Sequence, residues 1–176
     1  MAKGKIILLN GASSSGKSTL IQKFVELMPD YLKLSLDDIG GLIFGMRNQR
    51  GKPTTSEIAV QSNYSLFLKP YLLPRIIRLI HDYSYNIIVD TVIDNKDVLE
   101  DWQSLFSEGE IVFVAVVCPL DELVEREKLR GDRTVGLAKS QFENIHAGIK
   151  YDIEVNTANS TIDECVNKII DFINAT

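Results

Sequence analysis

Cysteine and tryptophan are scarce in this chain: it has two cysteines, Cys118 and Cys165, and one tryptophan, Trp102. Two cysteines cannot build the disulfide framework of a small secreted domain, and they fall short of a cysteine-based metal site. Each sits in an apolar pattern, which fits reduced, buried thiols of a cytosolic protein. Long hydrophobic runs are also missing. No stretch approaches the roughly 20 apolar residues needed to span a bilayer. The Lys3/Lys5 start is followed only by the short apolar run Ile6–Leu9, too brief for a signal peptide. An excess of positive charge is absent as well: the formal net charge is −5, which argues against a general nucleic-acid binder while leaving room for a local basic phosphate site. Hydrophobic residues make up 45% of the chain, too many for intrinsic disorder. These exclusions leave a cytoplasmic enzyme or binding domain with no membrane or nucleic-acid partner.

The 176 residues fit one α/β domain with a single core, and no linker, repeat or low-complexity tract divides them. Five short aliphatic runs read as strands, at 5–10, 31–36, 86–93, 111–118 and 152–157. Helical periodicity fills the intervals. One helix opens at Gly16, and a long one covers about 57–83, where Pro70 and Pro74 should bend or divide it. Others follow Val98 and Pro119. The last is marked by a capping box, Thr161 with Glu164, ahead of the apolar stripe Ile162, Cys165, Val166, Ile169, Ile170 and Ile173. Strands alternating with helices specify a three-layer α/β fold, a five-stranded parallel sheet flanked by helices. Residues 40–75, rich in glycine and arginine, read as an insertion, and residues 130–136 as a glycine-hinged lid.

Gly11-Ala-Ser-Ser-Ser-Gly-Lys-Ser18 matches the phosphate-binding pattern G-x-x-x-x-G-K-[ST] between a strand and a helix. In that context backbone amides and the helix N-terminus form a concave donor surface for phosphate. The nucleotide contacts are then Gly11, Ala12, Ser13, Ser14, Ser15, Gly16, Lys17, Ser18 and Thr19. Lys17 reaches the β- and γ-phosphates, and the Ser18 hydroxyl faces Mg2+. In an open α/β sheet ligands collect at the carboxyl ends of the strands. There Asp37 and Asp38 follow the second strand, and Asp90 lies near the end of the third. Asp37 is assigned as the general base for an acceptor hydroxyl, Asp90 as a magnesium-shell residue, and Asp38 as an N-cap for a helix starting at Ile39. Arg130 and Arg133 flank Gly131-Asp132 and are placed to clamp the charge of a transferring phosphoryl group. Arg126 and Lys128 read as members of a solvated face paired with Glu122, Glu125 and Glu127. His81 and His146 read as structural histidines. Tyr64, Phe67, Tyr71 and Trp102 fit core positions better than an aromatic acceptor pocket.

The ordered set of strings resembles the chloramphenicol 3-O-phosphotransferase family. It comprises Ile7–Ser18, Leu36-Asp37, Ile88-Val-Asp90, Arg130-Gly-Asp-Arg133, Gly136-x-Ala138, His146, Tyr151-Asp152, Glu154-Val155 and Thr157. The resemblance covers nearly the whole chain. It implies a fold similar to shikimate and nucleotide kinases and ATP-dependent phosphorylation of a small-molecule hydroxyl. Asp37 is then the base and the arginine loop a cover over ATP. Thr91 and Asn156 depart from acidic residues common in the family, and agreement is poor across 40–75. Two other readings share the phosphate loop: a nucleoside, nucleotide or shikimate-type kinase, and an ATP-sensing module without chemistry.

Overall fold

The computed structural model describes residues 4–39, 71–107, 109–130 and 136–176. Five strands form one wholly parallel sheet: β1 (Ile6–Asn10), β2 (Tyr31–Ser35), β3 (Asn86–Thr91), β4 (Ile111–Val117) and β5 (Ile153–Asn156), in the order β2-β3-β1-β4-β5. The first strand is central and buried along its whole length, which is why it reads as an unbroken aliphatic run. Among the described residues the helices are α1 (Lys17–Leu27), α2 (Leu73–Asp82), α3 (Lys96–Leu105), α4 (Leu120–Arg130), α5 (Leu137–Phe142) and α6 (Ile162–Ala175).

The two-residue period of β1 divides the core. Ile6 and Leu8 join Ile87, Val89, Ile77, Val98 and Trp102 on the α2/α3 face. Ile7 and Leu9 join Ile88, Val114, Leu20, Phe24 and Ile169 on the α1/α6 face. A third cluster, Ala12, Cys118, Leu123, Ala138 and Ile145, lies beyond the strand ends and packs α4 and α5 against the loop that leaves β1. The expected three layers are therefore present, and an additional apolar floor supports the carboxyl edge of the sheet.

Local chemistry sets the element boundaries. Pro74 occupies the first turn of α2, where its missing N–H costs nothing, and a wider π-type turn at residues 71–72 precedes it. Asn95 caps α3 by accepting from the Val98 amide at 3.0 Å. The Thr161–Glu164 capping box on α6 is complete. The cap after β2 differs from expectation. Residues 36–39 are already helical, and the Ser35 hydroxyl accepts from the Asp38 amide at 3.0 Å. Ser35 is thus the cap, and Asp37 and Asp38 stand in the first helical turn, where carboxylates complement the helix dipole. Tyr64 and Phe67 lie outside the described residues, and Tyr71 is exposed.

Trp102 is fully buried and stacks on Phe106 with ring centroids 5.8 Å apart. It is a core residue. Trp102→Ala should lower unfolding free energy by about 3–5 kcal/mol, read by urea denaturation, while leaving nucleotide affinity unchanged in the folded fraction.

Candidate active site

Asn10 ends β1 level with Thr91 of β3 and Ala115 of β4, and the chain then turns through Gly11–Gly16 into α1. A Cβ at Gly11 would approach the Val116 carbonyl oxygen to 2.5 Å and Ser15 Oγ to 2.8 Å, so only glycine fits. Gly16 takes a left-handed φ of 93°, and Ser14 does so too, at 65°. Left-handed backbone is uncommon for a serine and tends to cluster at functional sites. Helix α1 has neither a side-chain N-cap nor an acidic residue in its first turn. Its first amides therefore lack a side-chain acceptor, and the positive end of its dipole faces the loop. Among the described residues the buried hydroxyls of Ser14 and Ser15 have no hydrogen-bond partner. Buried orphan donors beside a helix N-terminus suit an anion with several acceptor oxygens, and a polyphosphate supplies them.

Three charged or polar side chains meet in front of this loop. Ser18 Oγ donates to Asp90 Oδ2 at 2.9 Å, and Lys17 Nζ lies 3.8 Å from Asp90 Oδ1. Lys17 is buried and also donates to the carbonyls of Gly11 at 2.7 Å and Ala12 at 3.0 Å. A serine hydroxyl beside a carboxylate is the oxygen donor set that suits Mg2+, which takes few protein ligands and keeps water and phosphate oxygens. Ser35 pairs in register with Asp90, so Asp37 begins two residues beyond the level of that carboxylate, exposed on the next helical turn. Thr19 is exposed on α1. Arg130 is the last residue of α4 and is exposed, whereas Arg133 lies outside the described residues.

The loop is braced from behind. Thr157 Oγ1 donates to the Ser15 carbonyl at 2.8 Å and accepts from Arg126 Nη1 at 3.1 Å, while Arg126 Nη2 donates to the Thr157 carbonyl at 3.0 Å. Arg126 does pair with Glu122, at 3.0 Å, but it is not merely part of a solvated face: it carries the strut that fixes the loop. Glu127 also departs from expectation. Instead of pairing with arginines at the surface it is buried, and its carboxylate accepts from the amides of Gly136 at 2.6 Å and Ala138 at 2.8 Å. It thereby satisfies orphan donors at the start of α5.

Beneath the loop the Asn10 side chain donates to the Ile145 carbonyl at 2.6 Å and to Tyr151 Oη at 2.7 Å, and it accepts from the Ile93 amide at 2.8 Å. His146 Nδ1 and Tyr151 Oη are 2.8 Å apart. Burial pushes the Tyr151 phenol up to about 12, against a smaller opposing effect of its hydrogen bond with Asn10. Burial pushes His146 down, partly countered by Glu154. The Tyr151 contact engages one nitrogen of His146, and His81 Nε2 lies 2.8 Å from the Gly4 carbonyl, while the buried His81 Nδ1 meets no hydrogen-bond partner among the described residues. A cavity of about 240 Å³ opens beside the loop, lined by Ala12, Ser15, Cys118, Phe142, His146 and Asn156 among others. Burial raises the Cys118 thiol, which keeps it protonated and unreactive.

The model of the chloramphenicol phosphotransferase-like proteins matches residues 4–174. The chain belongs to this family. A Mycobacterium tuberculosis protein named as a candidate O-phosphotransferase is 28% identical, the alignment spanning 96% of this chain and 82% of that one. Solved structures share the fold at low identity. The Mycobacterium tuberculosis APS kinase, determined with AMPPNP and APS, superposes with a TM-score of 0.66 at 15% identity, covering 99% of both chains. The Acinetobacter baumannii shikimate kinase gives 0.64 at 12% identity, covering 98% of this chain and 94% of that one. The Deinococcus radiodurans tunicamycin resistance protein gives 0.68 at 14%, covering 97% and 96%. By family and fold the chain is a P-loop kinase.

Sequence reasoning brought Lys17, Ser18 and Asp90 to one place, and the structure joins them. It missed Glu127 and also Gln141, whose Oε1 accepts from the Ser13 amide of the family's phosphate loop at 2.7 Å. Glu127 had one usable signal, the Gly136-x-Ala138 step that it serves. Glu127→Ala should leave two amides at the start of α5 unpaired and destabilise the fold by about 1–3 kcal/mol for each buried group lost. Thermal unfolding measures the total, and faster hydrogen exchange at Gly136 and Ala138 locates it. His146 adds a pH dependence with a definite sign. Its folded-state pKa is lowered, so the unfolded chain protonates first, and stability is lost as pH falls through roughly 6.5. That loss should shrink in His146→Gln, measured by denaturation between about pH 5 and pH 7.5, a window that starts above the ordinary histidine value and extends below it toward the lowered folded-state value.

Proposed function

We propose that this protein transfers the γ-phosphate of ATP to an alcohol group of a small molecule in the cytoplasm, with Mg2+ as the accompanying ion and Asp37 as the general base. The observation that carries this reading is the meeting of Lys17, Ser18 and Asp90 in front of a loop with buried, unpartnered serine hydroxyls. Family membership supports phosphotransfer. The fold shared with kinases of unlike acceptors supports a common nucleotide end and a variable acceptor end. Chloramphenicol is one candidate acceptor, and other hydroxylated antibiotics or metabolites are candidates of the same class. The nucleoside, shikimate-type and sensor readings have no observation of their own in their favour.

Each residue then has a defined task. Residues 11–19 cradle the phosphates through those amides that Gln141 and the Ala12 carbonyl do not already engage, and Lys17 leaves its present carbonyl partners to pair with β- and γ-phosphate oxygens. Ser18 and Asp90 would hold Mg2+, which neutralises charge on the phosphates and fixes their geometry. Asp37 orients the acceptor hydroxyl and takes its proton as the new O–P bond forms and the bond to the leaving ADP oxygen breaks. Arg130, at the end of α4, would stabilise the charge on the transferring group.

Lys17→Ala should remove nearly all turnover while leaving the fold intact by circular dichroism, because it deletes charge-assisted contacts to phosphate worth about 1.5–3 kcal/mol each. Asp37→Asn should reduce acceptor phosphorylation about 10²–10⁴-fold with little change in nucleotide affinity. If Asp37→Asn instead loses Mg-ATP affinity while its residual transfer stays fast, Asp37 serves the metal and not the proton.

A further inference from the structure

Gln141 stands near the end of α5, and its position is fixed from several sides. Glu127 binds the amides at the start of that helix, and Ala138 and Ile145 are buried on either side. The turn beyond closes onto the Gln141 carbonyl, which accepts from Asn144 at 3.1 Å and Ile145 at 2.9 Å. From this mount the side chain reaches back to the phosphate loop, where Oε1 accepts from the Ser13 amide at 2.7 Å. A backbone N–H can only face the oxygen of a carboxamide, so the amide's orientation is determined chemically.

The peptide unit that Gln141 holds is the one whose other end receives Lys17. Ser13 supplies the N–H and Ala12 the carbonyl, and that carbonyl accepts from Lys17 Nζ at 3.0 Å. The contact therefore lies at the lysine end of the loop, the end that takes the terminal phosphate in a P-loop kinase. Ser14 and Ser15, the next two residues, carry the buried unpartnered hydroxyls. A carboxamide committed through Oε1 to Ser13 still has two N–H donors on Nε2.

On the reading of this site as an ATP-binding loop, we propose that Gln141 is a further residue of the phosphoryl-transfer site. Its Oε1 stays on the Ser13 amide while its Nε2 donates to an oxygen of the terminal phosphate, which makes it a discriminator of nucleoside triphosphate from diphosphate. It stands outside the phosphate-loop motif, three residues after Ala138. It ties α5, and through Glu127 the end of α4, to the state of the nucleotide.

Gln141→Glu is the informative variant. A carboxylate keeps the acceptor for Ser13, removes the donor and places negative charge toward the terminal phosphate. Titration calorimetry with Mg2+ present would compare ADP with a non-hydrolysable ATP analogue in wild type, Gln141→Glu and Gln141→Ala. The triphosphate analogue should weaken about tenfold or more in Gln141→Glu, while ADP changes by less than about threefold. Gln141→Ala should show a smaller loss with the same bias toward the triphosphate. The Ser13 amide proton resonance should stay in its hydrogen-bonded position in Gln141→Glu and shift in Gln141→Ala. Equal weakening of both nucleotides, or no change in either, overturns the inference while leaving the ATP-site reading intact. A wild-type protein that binds neither nucleotide overturns both.

Discussion

A loop that binds phosphate through its amides must be held in an unfavourable shape before the ligand arrives, and here the hold is the hydrogen bond from Thr157 to the Ser15 carbonyl. That bond anchors the middle of the loop to the residue that follows β5, across the one strand, β4, that separates β5 from β1. Arg126 in turn fixes Thr157 through two contacts. The left-handed Ser14 and Gly16 flank the anchored carbonyl. With the Ser15 carbonyl held by Thr157 and the Ser15 amide turned to the Ala12 carbonyl at 3.2 Å, the loop keeps one shape before a ligand arrives.

The parallel sheet explains why the remaining chemistry gathers in the same place. All five strands deliver their last residues to one edge, so Asn10, Ser35, Thr91, Val117 and Asn156 lie along it. Central β1 carries the loop, and β3 beside it brings Asp90 against Ser18 and Lys17. The next strand out, β2, carries Asp37 on the turn beyond. On the other flank, β4 and β5 lead to α4, α5 and the half-buried Asn10–Tyr151–His146 group that supports the loop from below. Phosphate binding is thus placed centrally, with proton transfer proposed on one side and structural bracing on the other.

Much of this was legible in the sequence because it is local. A phosphate loop is eight consecutive residues of fixed spacing, and buried parallel strands are short aliphatic runs, as β1 and β4 show. The residues that escaped notice act over long sequence distances or resemble something commoner. Glu127 sits in Glu-Arg-Glu-Lys, which reads as a charged surface helix, yet its carboxylate is buried on two backbone amides. Gln141 meets Ser13 across 128 positions, and no periodic pattern encodes such a contact. After β2 Asp38 was the conspicuous cap, whereas the quieter Ser35 fills that role. The expected contribution of Arg133 falls outside the described residues.

The central claim is that an alcohol, rather than water or nothing, accepts the terminal phosphate of ATP at this site. The most direct measurement is a screen of wild-type protein with Mg2+ and γ-labelled ATP against chloramphenicol, aminoglycosides, nucleosides and shikimate, followed by mass and phosphorus NMR identification of the product. Formation of a phosphate monoester on a hydroxyl group of one such compound, at a rate well above the ATP hydrolysis seen without acceptor, is the expected result. Tight ATP binding with no phosphorylated product from any hydroxyl acceptor would contradict it and leave a nucleotide sensor in its place.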